Sequence, residues 1–174
     1  MANLGWRAAP YEQRSSEQLR KNLENVKETY RQADLHALYE EHASQVNFSI
    51  LNEGETYVED VSMNVRIPKV HGLRVAPKIY QEPASSDPFE PASLSASAIW
   101  LRHYPSVKNY KDYISVADSV GTLRHGIPAR AFEEPLRIVF GPELVGHKLS
   151  LECTLRGKQL RTPRKETLII EVTG

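Results

Sequence analysis

Residues 45–68, QVNFSILNEGETYVEDVSMNVRIP, constrain the fold more than any other stretch. Val46, Phe48 and Ile50 recur at every second position in its first half, and Val61, Met63, Val65 and Ile67 do so in its second. A period of two puts alternate side chains on one face of an extended chain, so each half reads as a strand buried on one side. Asn52-Glu53-Gly54 stands between them as a turn and Pro68 closes the second run, so the segment predicts a β-hairpin. A sheet with one apolar face must bury it against a second layer.

Other strands follow the same reading. Residues 71–80, 98–103, 113–117 and 121–125 are short candidates. Residues 136–140, 148–156 and 166–173 are stronger, the last alternating cleanly at Leu168, Ile170 and Val172. Residues 81–95 hold Pro83, Pro88 and Pro91 and read as a loop, because proline cannot donate to a ladder. No helical pattern lies between strands, which argues against a βαβ architecture. About eight or nine short strands separated by turn residues predict an antiparallel Ig-like β-sandwich over residues 44–174.

Ahead of the strands lies a different pattern. Leu19, Leu23, Val26, Tyr30, Ala33 and Ala37 recur at steps of three and four, and neither Gly nor Pro interrupts residues 15–46. Ser15 or Ser16 offers an N-cap, with Glu17 in the turn that follows. The spacing predicts one amphipathic helix over residues 15–43, of roughly six or seven turns. Residues 1–14 read as an N-terminal arm. The apolar stripe is narrow, as in a two-helix contact, but covers too few heptads for a coiled coil. Packing on the sheet explains it; so does a docking or dimerising seam of Leu19, Leu23, Val26 and Tyr30.

Composition bounds the chemistry. Lys plus Arg and Asp plus Glu each number 22, so there is no overall basic excess of the kind that phosphate-gripping proteins carry. Cys153 is the sole cysteine, which excludes an intrachain disulfide and a cysteine-based zinc site. Its place in the alternation Leu149, Leu151, Cys153, Leu155 makes it a buried apolar residue. No segment approaches the roughly 18 apolar residues of a bilayer span and no signal core stands at the N-terminus, so a cytoplasmic, non-membrane protein is expected.

No nucleophile elbow, P-loop, dinucleotide fingerprint or HExxH motif occurs. The six histidines are scattered, and His36 and His42 fall on different faces of the helix, so no metal site or cofactor is expected. Glu40-Glu41, Glu59-Asp60 and Glu133-Glu134 are sequence neighbours and read as solvated surface charge rather than acid/base couples. Arg124 and Arg130, and Arg161, Arg164 and Lys165, form the notable basic loops; solvation explains them, and phosphate contact is the functional alternative. Trp100, Tyr104, Tyr110 and Tyr113 suit cross-strand packing better than a sugar platform.

Phe48-Ser49-Ile50-Leu51-Asn52-Glu53-Gly54, then Val58-Glu59-Asp60-Val61 and the close on Ile67-Pro68, resembles CARDB-like and other Ig-like bacterial sandwiches. In those a strand ends in Asn-x-Gly and the next opens with an Ala-Glu/Asp-Asp-Val run; here Val58 stands in place of the alanine. With the Leu123-Arg124-His125-Gly126 turn, the strands at Leu136 and Leu149 and the ending Leu168-Ile169-Ile170-Glu171-Val172, the region also resembles sandwiches found C-terminal to DNA-binding or ATPase modules in bacterial Schlafen-type, AlbA-like proteins. That resemblance specifies fold and carries over no catalytic residue. The module preceding such sandwiches has no counterpart in these residues, which implies a part of a larger protein or a stand-alone relative. The expectation is a non-catalytic interaction or accessory domain of a bacterial assembly, binding a protein partner or a copy of itself. The alternative is a nucleic-acid-associated domain using the basic loops.

Overall fold

Ser15 caps the first helix reciprocally: the Gln18 amide donates to Ser15 Oγ at 3.2 Å and the Ser15 amide donates to Gln18 Oε1 at 3.0 Å. In the computed structural model, which describes residues 15–82 and 103–174, this helix, α1 (Ser16–His36), has 21 residues and is thus about 32 Å long. No glycine or proline stops it. It widens into a π turn over Ala37–Glu41, closed by the His42 amide on the Ala37 carbonyl at 3.1 Å. The helix expected over 15–43 is therefore present, with its last turn wound more loosely than an α-helix.

Among the described residues ten strands follow: β1 (Ser44–Val46), β2 (Ser49–Ile50), β3 (Val58–Pro68), β4 (Leu73–Val75), β5 (Ser106–Asn109), β6 (Tyr113–Leu123), β7 (Ala129–Arg130), β8 (Leu136–Phe140), β9 (Lys148–Arg156) and β10 (Arg164–Glu171). They form three antiparallel sheets, in the orders β1-β8-β4, β2-β7 and β10-β9-β3-β6-β5. One apolar core is shared among them. Val61, Met63, Val65 and Ile67 of β3 meet Leu136 and Ile138 of β8, Leu73 and Val75 of β4, and Ile50 of β2 in a single buried cluster. Cys153 lies in it as expected, and burial pushes its thiol pKa up.

The hairpin expected over residues 45–68 does not form. Its first half pairs with β8 and β7, and its second with β6 and β9. The alternation set the faces correctly, since Ile50, Val61, Met63, Val65 and Ile67 are all buried. The turn between them crosses from one sheet to another instead of reversing. Asn52 fixes that crossing: its Oδ1 accepts from the Gly54 amide at 3.0 Å, and its Nδ2 donates to the Thr56 and Leu123 carbonyls at 2.8 and 3.2 Å. The Gly126 amide returns a bond to the Asn52 carbonyl at 2.9 Å. The connector is thus tied to the end of β6, which leaves both edges of β3 free to pair elsewhere.

Two more expectations change. Residues 113–117 and 121–123, read as parts of separate strands over 113–117 and 121–125, form the one long β6, which ends at Leu123. A paired irregularity bends it: Val61 faces Gly121 while Ser62 faces Ser119, with Asp60 at φ 48° and Gly121 at φ 84°. β5 and β7 were too short and polar to read from pattern. The N-terminal arm over 1–14, the strand expected over 98–103 except His103, and most of the loop over 81–95 lie outside the described residues.

Candidate interaction surfaces

Among the described residues, the helix is fastened to the β body at its C-terminal end. In the π turn, Tyr39 stacks on Tyr80 with ring centroids 5.4 Å apart, over buried Ala76. Beside them the Arg137 side chain, 7% exposed, sits between two carboxylates. Its Nε donates to Glu40 Oε2 at 3.1 Å, its Nη2 to Glu134 Oε2 at 3.4 Å and its Nη1 to the Pro135 carbonyl at 2.8 Å. Glu40 Oε1 also accepts from the Tyr80 amide at 2.9 Å. Tyr104 completes the node: its hydroxyl donates to the Ala76 carbonyl at 3.1 Å and accepts from the Arg137 amide at 3.2 Å. Burial holds its pKa up, with the Arg137 amide and guanidinium pulling the other way. Glu40 and Glu134 are therefore not the solvated charges their sequence context suggested. The available signal was an arginine inside the apolar strand run LRIVF, which needs a carboxylate partner once that strand is covered.

Away from this anchor the apolar stripe of the helix is largely exposed. Leu23, Val26 and Tyr30 are 52%, 51% and 68% exposed, and Leu19 is half-buried. Their steps of four, three and four place them on one stripe that continues through Ala33 to Ala37. Arg20, Lys27 and Asp34 follow one flank of that stripe, while Asn22 and His36 lie on the other. Lys27 Nζ is drawn toward Glu24 Oε1 at 3.2 Å.

The outer face of the five-stranded sheet is the other large surface. Its register assembles cross-strand rows: Thr167, Glu152, Arg66, Ser115 and Lys108 in one, Lys165, Thr154, Asn64, Ala117 and Ser106 in the next. Arg156, Ser62 and Ser119 make a third. The middle of this face forms a cleft of about 1030 Å³. Tyr110 and Tyr113 stack at its rim with centroids 4.7 Å apart, and the Arg66 guanidinium lies 4.9 Å from the Tyr113 ring.

The basic loops do not gather into one patch. Pairing of Val58 with Leu123 and the bond from the Glu59 amide to Gln159 Oε1 at 2.7 Å bring Arg124 and the turn carrying Arg161 to one end of the sheet. That end also carries Glu59 and Asp60, and Lys158 bonds Asp60 at 2.7 Å, which raises the lysine pKa. Arg130 sits on the separate β2-β7 ribbon opposite Ser49. Arg164 and Lys165 are consecutive on β10 and point to opposite faces, so only Lys165 reaches the cleft.

Among the described residues, no group of three His, Cys, Asp or Glu side chains is placed to hold a metal ion, and no helix is long and apolar enough to cross a membrane. His103 Nε2 lies 2.8 Å from Asp118 Oδ1, a nearly buried carboxylate oxygen that also accepts from the Ser119 amide.

No family model and no curated protein matches the chain. Among solved structures it is similar to one described as "AvmM Catalyzes Macrocyclization in Alchivemycin A Biosynthesis", at 10% identity over 76% of this chain and 82% of that one, with a TM-score of 0.34. A likeness that distant carries no argument about chemistry.

Proposed function

We propose that the chain is a non-catalytic interaction module, in which an Ig-like β-sandwich body holds out a helix for pairing with a second copy. The carrying observation is the exposed stripe of Leu23, Val26 and Tyr30 on a helix whose far end is locked to the body by Arg137, Glu40 and the Tyr39–Tyr80 stack. An amphipathic helix gains most of its stability by burying its apolar face, and this one leaves that face to water. The shared core of the three sheets supports the sandwich reading. The resemblance to sandwiches of bacterial Schlafen-type, AlbA-like proteins supports an accessory place in a larger assembly.

Charge selects the orientation of the pair. In a parallel pair the flank carrying Arg20, Lys27 and Asp34 would meet the flank carrying Asn22 and His36, with no ion pair gained. In an antiparallel pair like flanks meet. With Val26 opposite the partner's Tyr30, Arg20 faces the partner's Asp34 at both ends. The central lysines face each other, blunted by their bonds to Glu24. Such surface pairs contribute about 0.3–0.5 kcal/mol each, enough to choose an orientation but not to create the contact.

Light scattering behind size-exclusion chromatography tests this. The wild type should gain mass with concentration toward a dimer, and Leu19→Asp/Val26→Asp should stay monomeric with the body equally stable. A wild type that is monomeric at the highest concentration, or a double variant that still dimerises, overturns the reading.

Phosphate binding through Arg124, Arg130, Arg161, Arg164 and Lys165 is the second reading. Their division among three places and the acidic Glu59 and Asp60 at the end carrying Arg124 and Arg161 favour the helix.

A further inference from the structure

We infer that the outer face of the five-stranded sheet is a binding site for single-stranded nucleic acid, separate from the helix and, Lys165 apart, from the basic loops. The chain balances 22 basic against 22 acidic residues, but this face does not. The cross-strand rows place Arg66, Lys108, Arg156 and Lys165 on it, and the one carboxylate within those rows is Glu152, held 3.8 Å from Arg66. Asp118 and Glu166 also line the cleft, but Asp118 is 3% exposed and held 2.8 Å from His103, and Glu166 alternates to the opposite face of β10 from Lys165. The excess on the outer face therefore lies in and beside a cleft where an anion loses competing water on one side.

The neutral groups fit the same ligand. Between the cations stand Ser62, Ser115, Thr154, Thr167 and Asn64, hydroxyl and amide side chains of the kind that bond phosphate and sugar oxygens. Asn64 Nδ2 already donates to Ser115 Oγ at 2.8 Å, which holds both in place. At the rim, Arg66, Tyr113 and Tyr110 form a stack whose last ring, Tyr110, is 46% exposed. A base can extend that stack, because every base has a flat π face.

Dimensions favour a single strand. Lys165 and Lys108 lie on the two edge strands, so the cations span about 19 Å of sheet, room for on the order of four nucleotides. A duplex, a stiff rod with its bases turned inward, would offer Tyr110 nothing to stack on. An acidic peptide would satisfy the cations and leave the tyrosine stack without a role.

Fluorescence anisotropy of a labelled twelve-residue oligothymidylate with the whole chain tests the site. If about three phosphates are neutralised, affinity should fall about 20-fold between 50 and 200 mM salt. Arg156→Glu/Lys165→Glu should weaken binding at least tenfold, and Tyr110→Ala at least fivefold. Arg124→Glu, outside the cleft, should change it less than twofold. Leu19→Asp/Val26→Asp should leave binding intact, so failure of the helix reading and failure of this one are distinguishable. No binding at 50 mM salt overturns the proposal. So does equal weakening by Arg124→Glu. Tighter binding of a polyglutamate peptide, with Tyr110→Ala silent, assigns the face to an acidic protein instead and also overturns it. Unchanged thermal midpoints of the variants establish that each is folded.

Discussion

Arg137 and Glu40 lie 97 residues apart in sequence, and their side chains meet at 3.1 Å, 7% and 16% exposed. This contact joins the end of the helix to the start of β8 and, with the Tyr39–Tyr80 stack, sets the direction in which the helix leaves the body. Removing one partner of a buried ion pair leaves the other charged and desolvated. Glu40→Ala should cost about 2–3 kcal/mol, since Arg137 keeps Glu134, and Arg137→Ala about 3–4 kcal/mol. Glu40→Gln/Arg137→Met should cost less than the sum of its single changes. Urea titration measures all three, and strict additivity would show that the two residues are not coupled.

The same node makes stability depend on alkaline pH. Burial holds the pKa values of Tyr39, Tyr80 and Tyr104 above the ordinary tyrosine value of 10.0; the Tyr39 phenol beside them raises those of Tyr80 and Tyr104 further, while Arg74 pulls that of Tyr39 the other way. A raised folded-state pKa means that the unfolded chain releases its proton first. The stabilisation is complete below pH 10 and is lost as pH rises through the folded-state values. The urea midpoint should therefore fall steadily from about pH 9.5 upward, with Cys153 adding to the slope because its thiol is also raised. Tyr39→Phe should flatten the fall. An identical slope in that variant would remove Tyr39 from the account.

How much of this was legible in the sequence depends on what each signal fixes. Alternation placed Val61, Met63, Val65, Ile67, Leu149, Leu151 and Cys153 in the core, because side-chain face is a local property of an extended chain. It could not assign partners, because residues 45–50 and β3 both point at the same core from different sheets. The helix stripe was legible as Leu19, Leu23, Val26 and Tyr30, yet periodicity cannot say whether a stripe is covered. The cation-rich sheet face was invisible for a related reason. Arg66, Lys108, Arg156 and Lys165 are far apart in sequence, and only the cross-strand register gathers them. The basic loops drew attention instead, since sequence neighbours are easy to see, and the fold disperses them.

Two glycines at the bend of the large sheet should fail for different reasons. A Cβ on Gly157 would stand 2.6 Å from Val58 Cγ1 and 3.2 Å from the Glu59 carbonyl oxygen. Gly157→Ala should cost about 1–3 kcal/mol by overpacking. A Cβ on Gly121 would meet nothing within 4 Å, but the residue sits at φ 84°. Gly121→Ala should cost about 1 kcal/mol through the backbone alone. Shortening the neighbour separates the two mechanisms. Val58→Ala should recover part of the Gly157→Ala loss and none of the Gly121→Ala loss, and equal recovery in both would mean that one shared strain governs the bend.

The orientation of the helix pair has its own test. Arg20→Asp alone places like charges opposite the partner's Asp34 at both ends of an antiparallel pair, and Asp34→Arg alone does the same opposite Arg20. Each single reversal turns two weak attractions into two weak repulsions, a swing of about 1–2 kcal/mol and hence on the order of a tenfold weaker dimer. The double reversal restores opposite charges across the seam and should return the dissociation constant to within about twofold of wild type. A parallel pair sets neither position against the other, so there the single reversals would have little effect and the double nothing to restore. Sedimentation equilibrium at low salt measures these constants directly. Raising the salt should shrink the difference between singles and double while Leu19, Leu23, Val26 and Tyr30 keep the wild-type dimer together.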